Sequence, residues 1–168
     1  MTAVVTAPLE LLKENVKDEW IDYNGHMNVA FYMLAFDLAV DRLFGQIGLD
    51  QDYLRRCNAS SFTLEAHIGY AAELTRDEPF SVYMRLLDFD HKRMHIFLEM
   101  YKDRSNELSA TAEFIMMHMD MNMRRSSPYP EFIYTALAEI YETQKDLPRH
   151  ENTGHVIGIR RKTDQSGK

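Results

Sequence analysis

The chain has almost no cysteine, no long apolar run and no long basic run. Its single cysteine, Cys57, excludes an internal disulfide framework and suits a reducing compartment. The first residues have neither the basic start nor the apolar run of a secretion signal, so we expect a cytoplasmic protein. No apolar segment reaches the roughly 20 residues that a membrane span needs, and the net charge of −7 argues against nucleic acid as a partner.

Two catalytic signatures are also missing. No G-x-S-x-G motif is present, which excludes the nucleophile elbow of serine thioesterases of the α/β-hydrolase type. The histidines His95, His118 and His155 are too dispersed for the usual ligand spacing of a zinc site. We therefore expect no zinc site.

The segment Trp20 to Gly45 is the most informative part of the chain. Its polar start, residues 22–26 (DYNGH), runs into a segment whose apolar residues occupy almost every helical position. Such a helix is expected to be buried in the core. Asp22 or Asn24 is placed to cap it, and Gly45 is placed to end it.

From Ser61 onward, apolar and polar residues alternate. This pattern predicts a strand with one buried face formed by Phe62, Leu64, Ala66, Ile68 and Tyr70. A weaker strand is predicted at 13–20, and a short helix or connector at 49–58. Further strands are predicted at 80–89, 93–101 and 108–123, the last with Met117 and Met119 on one face, and an amphipathic helix at 131–145. Short turns between successive strands favour an antiparallel sheet.

These elements predict an α+β fold in which a curved antiparallel sheet wraps a long central helix. With 45% hydrophobic residues, the chain fits one domain, which we place at residues 1–147, followed by a polar basic tail at 148–168. A single sheet leaves one side and its edges uncovered. We therefore expect a homodimer or a homotetramer.

The polar segment carries a resemblance to a known family. Residues 22–28, with Tyr32 four residues later, resemble the D-x-N-G-H-x-N-x-x-x-Y signature of hotdog-fold acyl-CoA thioesterases, the relatives of 4-hydroxybenzoyl-CoA thioesterase. The order of one helix followed by strands is similar too. The resemblance implies a hotdog fold and hydrolysis of an acyl-CoA thioester.

A narrower resemblance is to the betainyl-CoA thioesterases of carnitine degradation, which also occur fused to L-carnitine dehydrogenase. It rests on WIDYNGHMN and on three further runs, at 62–74 (FTLEAHIGYAAEL), 86–101 (LLDFDHKRMHIFLEMY) and 110–130 (ATAEFIMMHMDMNMRRSSPYP). No G-x-G-x-x-G motif follows a strand, so we expect a free-standing thioesterase. The alternatives are a broad short-chain or aromatic acyl-CoA thioesterase and a non-catalytic acyl-CoA-binding module.

The hotdog resemblance implies roles for the polar segment. A thioester hydrolase needs a base or nucleophile and donors for the developing oxyanion. Asp22 would be base or nucleophile, Asn24 would orient water or substrate, and the amides near Gly25 and His26 would polarise the carbonyl. The imidazole of His26 would hold Asp22 or the sulfur. The scheme implied by the resemblance requires neither a metal nor an organic cofactor. The simpler alternative is that these residues only cap the helix.

Glu65 and His67 form a second candidate pair, because residues two apart on a strand point the same way. Glu65 competes with Asp22 for the role of main carboxylate, while His67 would contact substrate. A solvated strand face explains both residues equally well. The sequence leaves this choice open, together with that between direct attack and activation of water.

Substrate contacts are predicted from charge and aromaticity. Coenzyme A carries phosphates, and the candidate basic residues are Lys92, Arg93, Arg124 and Arg125, with ordinary solvated charge as the alternative. A trimethylammonium group would be held by aromatic faces, for which Trp20 and Tyr23 are the candidates beside Asp22.

Overall fold

The computed structural model describes residues 7–159. Its elements in chain order are β1 (Leu9–Asn15), α1 (Val29–Ile47), α2 (Gln51–Cys57), β2 (Ala59–Tyr70), β3 (Pro79–Phe89), β4 (Arg93–Lys102), β5 (Glu107–Asp120), β6 (Arg125–Ser126) and α3 (Glu131–Gln144). A single 3₁₀ turn, Asp18–Trp20, precedes α1. The predicted helices at 49–58 and 131–145 are confirmed as α2 and α3.

The strands form one antiparallel sheet in the order β1-β3-β4-β5-β2, with β6 paired to the end of β5. Helix α1 packs on one face, and its residues Phe36 and Leu43 are fully buried against strand residues such as Phe80 and Ile96. The expected α+β architecture, a long helix wrapped by a curved antiparallel sheet, is confirmed.

Helix α1 begins and ends later than the sequence predicted. The Asn28 side chain, and not that of Asp22 or Asn24, caps it by accepting a hydrogen bond from the Ala30 amide at 3.0 Å. The helix ends at Gly48 rather than Gly45, since Gly48 has φ +79°, a conformation that glycine adopts without strain. The polar start therefore forms a separate turn ahead of the helix.

The prediction that α1 is buried on nearly every face is wrong. Val29, the first residue of the helix, is 60% exposed, and Leu34 is 38% exposed. The prediction for β2 is wrong in part, because the pairing register with β5 shifts between Thr63 and Glu65. That bulge ends the simple alternation and leaves Phe62 and Leu64 43% and 52% exposed.

Two further strand predictions needed correction. In β5 the core face carries Ala110, Ala112, Phe114 and Met116, whereas Met117 and Met119 lie on the opposite face. Because methionine occurs at both odd and even positions of this run, hydrophobicity did not indicate which face is buried. The first strand is β1 at Leu9–Asn15, and the 3₁₀ turn replaces the end of the strand predicted at 13–20.

Residues 148–158, which we call the C-terminal strap, cross the sheet face turned away from α1. Pro148 accepts a hydrogen bond from Arg85 at 3.1 Å, and the Gly154 amide donates to Glu113 at 2.7 Å. His155 stacks on His67 with ring centroids 5.7 Å apart. The rest of the predicted basic tail, residues 160–168, lies outside the described residues.

His118 of β5 predicts a pH dependence of stability. It is buried, its Nε2 lies 2.9 Å from the Tyr53 hydroxyl, and its Nδ1 lies 3.0 Å from the Ser127 carbonyl oxygen. Burial lowers its pKa below the ordinary 6.5. The unfolded chain therefore binds the extra proton more readily, so His118 contributes stability above about pH 6.5 that is lost as the pH falls.

We expect the thermal midpoint of the wild type to fall as the pH is lowered from about 7 to 5, and the slope to be shallower in His118→Gln. The control is His91→Gln, because His91 is exposed. Scanning calorimetry at a series of pH values measures all three proteins. Equal acid slopes in the wild type and His118→Gln would contradict the assignment.

Candidate active site

Residues Asp22 to His26 form a closed turn, which we call the polar turn. The Asp22 amide donates to the His26 carbonyl and the Gly25 amide donates to the Asp22 carbonyl, both at 3.0 Å. Gly25 has φ +82°, and a β-carbon there would meet nothing within 4 Å. Glycine thus closes the turn and leaves open space beside it.

The half-buried Asp22 carboxylate is held by its own turn. Its Oδ1 accepts a hydrogen bond from the Asn24 amide at 2.8 Å. Among the described residues, Oδ2 has no hydrogen-bond partner. The Asn24 contact is made by its backbone, so its exposed side chain is available to another group. This arrangement presents a carboxylate oxygen at the surface of the turn.

Tyr32 fixes the polar turn to the segment that follows β2. Its buried hydroxyl accepts a hydrogen bond from the Leu74 amide at 3.0 Å, and the Leu74 carbonyl accepts one from the Met27 amide at 2.8 Å. Burial raises the pKa of Tyr32, which keeps the hydroxyl neutral. The tyrosine of the signature therefore positions the turn.

Backbone amides of the polar turn differ in their availability. The Gly25 amide, predicted as an oxyanion donor, is already bonded within the turn. The amides of Tyr23 and His26 have no hydrogen-bond partner within residues 7–159. Of the two predicted oxyanion donors, the His26 amide is therefore available to a ligand and the Gly25 amide is not.

The sequence analysis gave the His26 side chain two possible partners, Asp22 or the substrate sulfur, and the structure does not pair it with Asp22. Its Nε2 lies 3.2 Å from Oε1 of Glu73, in the segment between β2 and β3. Glu73 was not among the predicted site residues. No local sequence signal marks Glu73. The structure connects its neighbour Leu74 to the signature residue Tyr32, whose hydroxyl accepts a hydrogen bond from the Leu74 amide.

Two aromatic residues predicted to hold the acyl group have opposite environments. Trp20 is 3% exposed, stacked on Phe31 at 5.7 Å, and its ring lies 5.1 Å from the Lys17 ammonium. This packing does not support a role for Trp20 in binding. Tyr23 is 96% exposed at the polar turn.

Tyr70 is an aromatic residue that the sequence analysis placed only in a buried strand face. It is half exposed at the end of β2, and its hydroxyl donates to the Val29 carbonyl at 3.4 Å. Its ring meets that of Tyr32 edge-on at 5.2 Å. Tyr70 and Tyr23 thus provide aromatic surface near the start of α1.

Glu65 and His67 are not brought to Asp22 within one chain. They share a cavity of about 300 Å³ with His95, Glu113 and His155, between the sheet and the C-terminal strap. That face of the sheet is turned away from α1. The stacking of His67 on His155 gives these residues a structural partner.

The predicted basic residues lie together, at the opposite end of the sheet from the polar turn. Lys92 reaches Ser126 at 3.5 Å, which joins the β3–β4 turn to the β5–β6 hairpin. Arg93 is bound to Asp90 through two hydrogen bonds of 2.8 and 2.6 Å. Arg124 and Arg125 form no ion pair among the described residues.

Residues 7–159 contain neither a metal-binding cluster nor a helix suited to span a membrane. Within residues 7–159, no group of three or more His, Cys, Asp or Glu side chains is placed to hold a metal ion. No helix in this described part is long and apolar enough to cross a membrane.

Comparison with known proteins gives a family match and similar relatives. The model of the thioesterase-like superfamily matches residues 16–137. Betainyl-CoA thioesterase of Pseudomonas aeruginosa is 35% identical over 144 residues, which is 86% of this chain and 91% of that protein. L-carnitine dehydrogenase/betainyl-CoA thioesterase of a Rhizobium species is 34% identical over 92% of this chain, which spans 31% of that relative.

A solved structure is similar over nearly its whole length. A Staphylococcus aureus protein in complex with CoA superposes with a TM-score of 0.86 at 33% identity, covering 91% of this chain and 97% of that one. The family match at residues 16–137 includes the polar turn and every strand except β1. The likeness thus extends to the elements that position Asp22.

Proposed function

This chain belongs to the thioesterase-like superfamily and is an acyl-CoA thioesterase with the hotdog fold, and from this premise we propose that its substrate is betainyl-CoA. The observation that supports this substrate is the 35% identity to a betainyl-CoA thioesterase that is matched over 91% of its length. The products are betaine and free coenzyme A. The net charge of −7 suits a cationic acyl group.

In the proposed reaction, Asp22 takes a proton from water while the water oxygen attacks the thioester carbonyl carbon. The exposed Asn24 side chain orients that water. The His26 amide, with no partner among the described residues, donates to the developing oxyanion. The carbon–sulfur bond then breaks. The open space beside Gly25 gives the thioester access to these groups.

Direct attack by Asp22 remains the alternative to activation of water. A single turnover in water labelled with oxygen-18 tests for direct attack, because direct attack forms an anhydride, and hydrolysis of that anhydride at the Asp22 carbonyl carbon leaves the label in the Asp22 carboxylate. We propose the water mechanism and expect an unlabelled Asp22 peptide by mass spectrometry. A labelled peptide would establish direct attack.

We also propose a homodimer formed through β2. This strand is an edge of the sheet, it has 12 residues, and Phe62 and Leu64 are exposed along it. The exposed Val29 and Leu34 of α1 extend the apolar surface. A long apolar edge strand is a template for pairing, and a second copy supplies an identical strand.

This dimer would bring the basic residues to the polar turn. Within one chain, β5 rises about 23 Å between Ala110, near the polar turn, and Met117, which pairs with Arg93. Antiparallel pairing of two β2 strands places the start of one beside the end of the other. Arg124 and Arg125, with Lys92 and Arg93, would then bind the coenzyme A phosphates beside the other subunit's polar turn.

A cytoplasmic location completes the proposal. Its support is the free and exposed Cys57, which suits a reducing compartment.

Tyr70, together with Tyr23, is proposed to hold the trimethylammonium group through its ring face. A matched pair of substrates tests this, since betainyl-CoA and 3,3-dimethylbutanoyl-CoA have the same shape and differ in one charge. We expect Tyr70→Leu to raise the KM for betainyl-CoA about 5- to 20-fold, as expected for loss of a cation–π contact, and to change the KM for the neutral analogue less than about 2-fold. Equal changes for both substrates would contradict the contact.

A further inference from the structure

Glu73 is held between two fixed backbone positions. On one side, the Ala72 amide donates to the Ser109 carbonyl at 3.0 Å and the Ala72 carbonyl accepts from the Ser109 hydroxyl at 2.7 Å. On the other side, Leu74 is bonded to Met27 and Tyr32. The backbone that carries Glu73 is therefore locked to β5, to α1 and to the polar turn.

The contact between His26 and Glu73 lies at the surface, where the two side chains are 39% and 63% exposed. Exposed ion pairs contribute little when both long side chains must be ordered. Here both backbones are already fixed, and the Met27 and Leu74 hydrogen bond at 2.8 Å joins the residues next to the pair. In this arrangement Nε2 of the imidazole lies 3.2 Å from Oε1 of Glu73.

The pairing also selects which ring nitrogen remains available. Nε2 of His26 faces the Glu73 carboxylate, which is an acceptor when ionised. Nδ1 has no hydrogen-bond partner among the described residues. A carboxylate beside one nitrogen of an imidazole leaves the other nitrogen for a reacting group.

Resting on the proposed function, we propose that Glu73 is a positioning residue that orients His26 to protonate the departing thiolate. Asp22 takes one proton from the attacking water, the new carbon–oxygen bond forms, and the carbon–sulfur bond breaks. The imidazolium of His26 gives the Nδ1 proton to the sulfur, which leaves as the thiol. Transfer of the proton from Asp22 through solvent to His26 restores both groups, so one water is consumed for each acid and thiol formed.

The test compares leaving groups in Glu73→Gln. Betainyl-CoA releases a weakly acidic alkyl thiol, whereas the thiophenyl ester of betaine releases a more acidic thiol that departs without a proton donor. We expect Glu73→Gln to lower kcat on betainyl-CoA about 10- to 100-fold, a part of the gain from general acid catalysis, with KM nearly unchanged. On the thiophenyl ester we expect a loss below about 3-fold.

Two further variants complete the design. Glu19→Gln makes the same charge change at an exposed residue near the polar turn in sequence, and it should behave as the wild type. Glu73→Gln combined with His26→Gln should lose no more activity than His26→Gln alone, because the two residues act as one unit.

The outcomes separate this proposal from the proposed function. A wild-type kcat in Glu73→Gln, equal losses on both leaving groups, or additive losses in the double variant would each overturn the role of Glu73 while leaving the thioesterase intact. A wild type that releases no thiol from any acyl-CoA would overturn the proposed function, and the role of Glu73 in it.

Discussion

Replacing Asp22 by Asn should abolish nearly all thioester hydrolysis while the protein remains folded. Asparagine keeps the Oδ1 atom that accepts the Asn24 amide at 2.8 Å, so the polar turn keeps its geometry. It loses the basicity that draws a proton from water. We expect kcat to fall about 100- to 1,000-fold, the range of general base catalysis, with little change in KM.

A matched variant separates loss of the base from loss of charge. Asp146→Asn removes an exposed carboxylate beyond α3 that has no hydrogen bond or ion pair among the described residues, and it should keep wild-type kcat. Thiol release and thermal midpoints are measured for all three proteins. Full activity in a folded Asp22→Asn protein would remove Asp22 from the mechanism and return Glu65 to consideration.

Mixing two inactive variants should restore activity if each site is shared between subunits. One variant is Asp22→Asn, and the other carries Arg124→Ala with Arg125→Ala, which should weaken binding of coenzyme A. In a mixed dimer, one site combines an intact Asp22 with the partner's intact arginines. Random exchange of subunits then restores about a quarter of the wild-type activity at low substrate concentration, since half of the dimers are mixed and each has one intact site.

The controls for this experiment are the two variants incubated separately. Sedimentation confirms whether the proteins are dimers before and after mixing. Activity that stays at the sum of the separate variants, in dimers shown to have exchanged subunits, would contradict the shared site. It would place Arg124 and Arg125 in the same subunit's site as Asp22, or outside the site.

Local sequence predicted the architecture but not the cap of α1. Asp22, Asn24 and Asn28 are all good capping residues, and nothing local chooses among them. The choice depends on Gly25, whose positive φ closes a turn, and on Leu74, which bonds to Met27. These are features of tertiary structure, and they convert the predicted helix start into a separate turn.

Strand faces were predicted only where alternation was unbroken. At the bulge between Thr63 and Glu65, odd- and even-numbered residues of β2 exchange faces of the sheet. No residue type in that run marks the bulge. In β5, methionine occupies both faces, so hydrophobicity alone could not select the buried one. Partner strands decide such faces, and the sequence does not reveal the partners.

The candidate site was predicted as far as its residues are neighbours in the chain. Asp22 and His26 were found through the signature, whereas Glu73 approaches His26 only through folding. Conversely, Trp20 is close to Asp22 in sequence but is buried against Phe31. The sequence thus offered Asp22 as the candidate carboxylate, but it did not reveal which side chains lie around the polar turn in the folded chain.

The most direct test of the central claim is thiol release by the purified wild-type protein from betainyl-CoA, 3,3-dimethylbutanoyl-CoA, acetyl-CoA and benzoyl-CoA. The proposed function predicts hydrolysis of betainyl-CoA with a kcat/KM at least about 10-fold above that of the neutral isostere, consistent with recognition of one positive charge. Equal or greater kcat/KM values for the neutral esters would contradict betainyl-CoA as the substrate. Tight binding of these esters without thiol release would contradict hydrolysis itself.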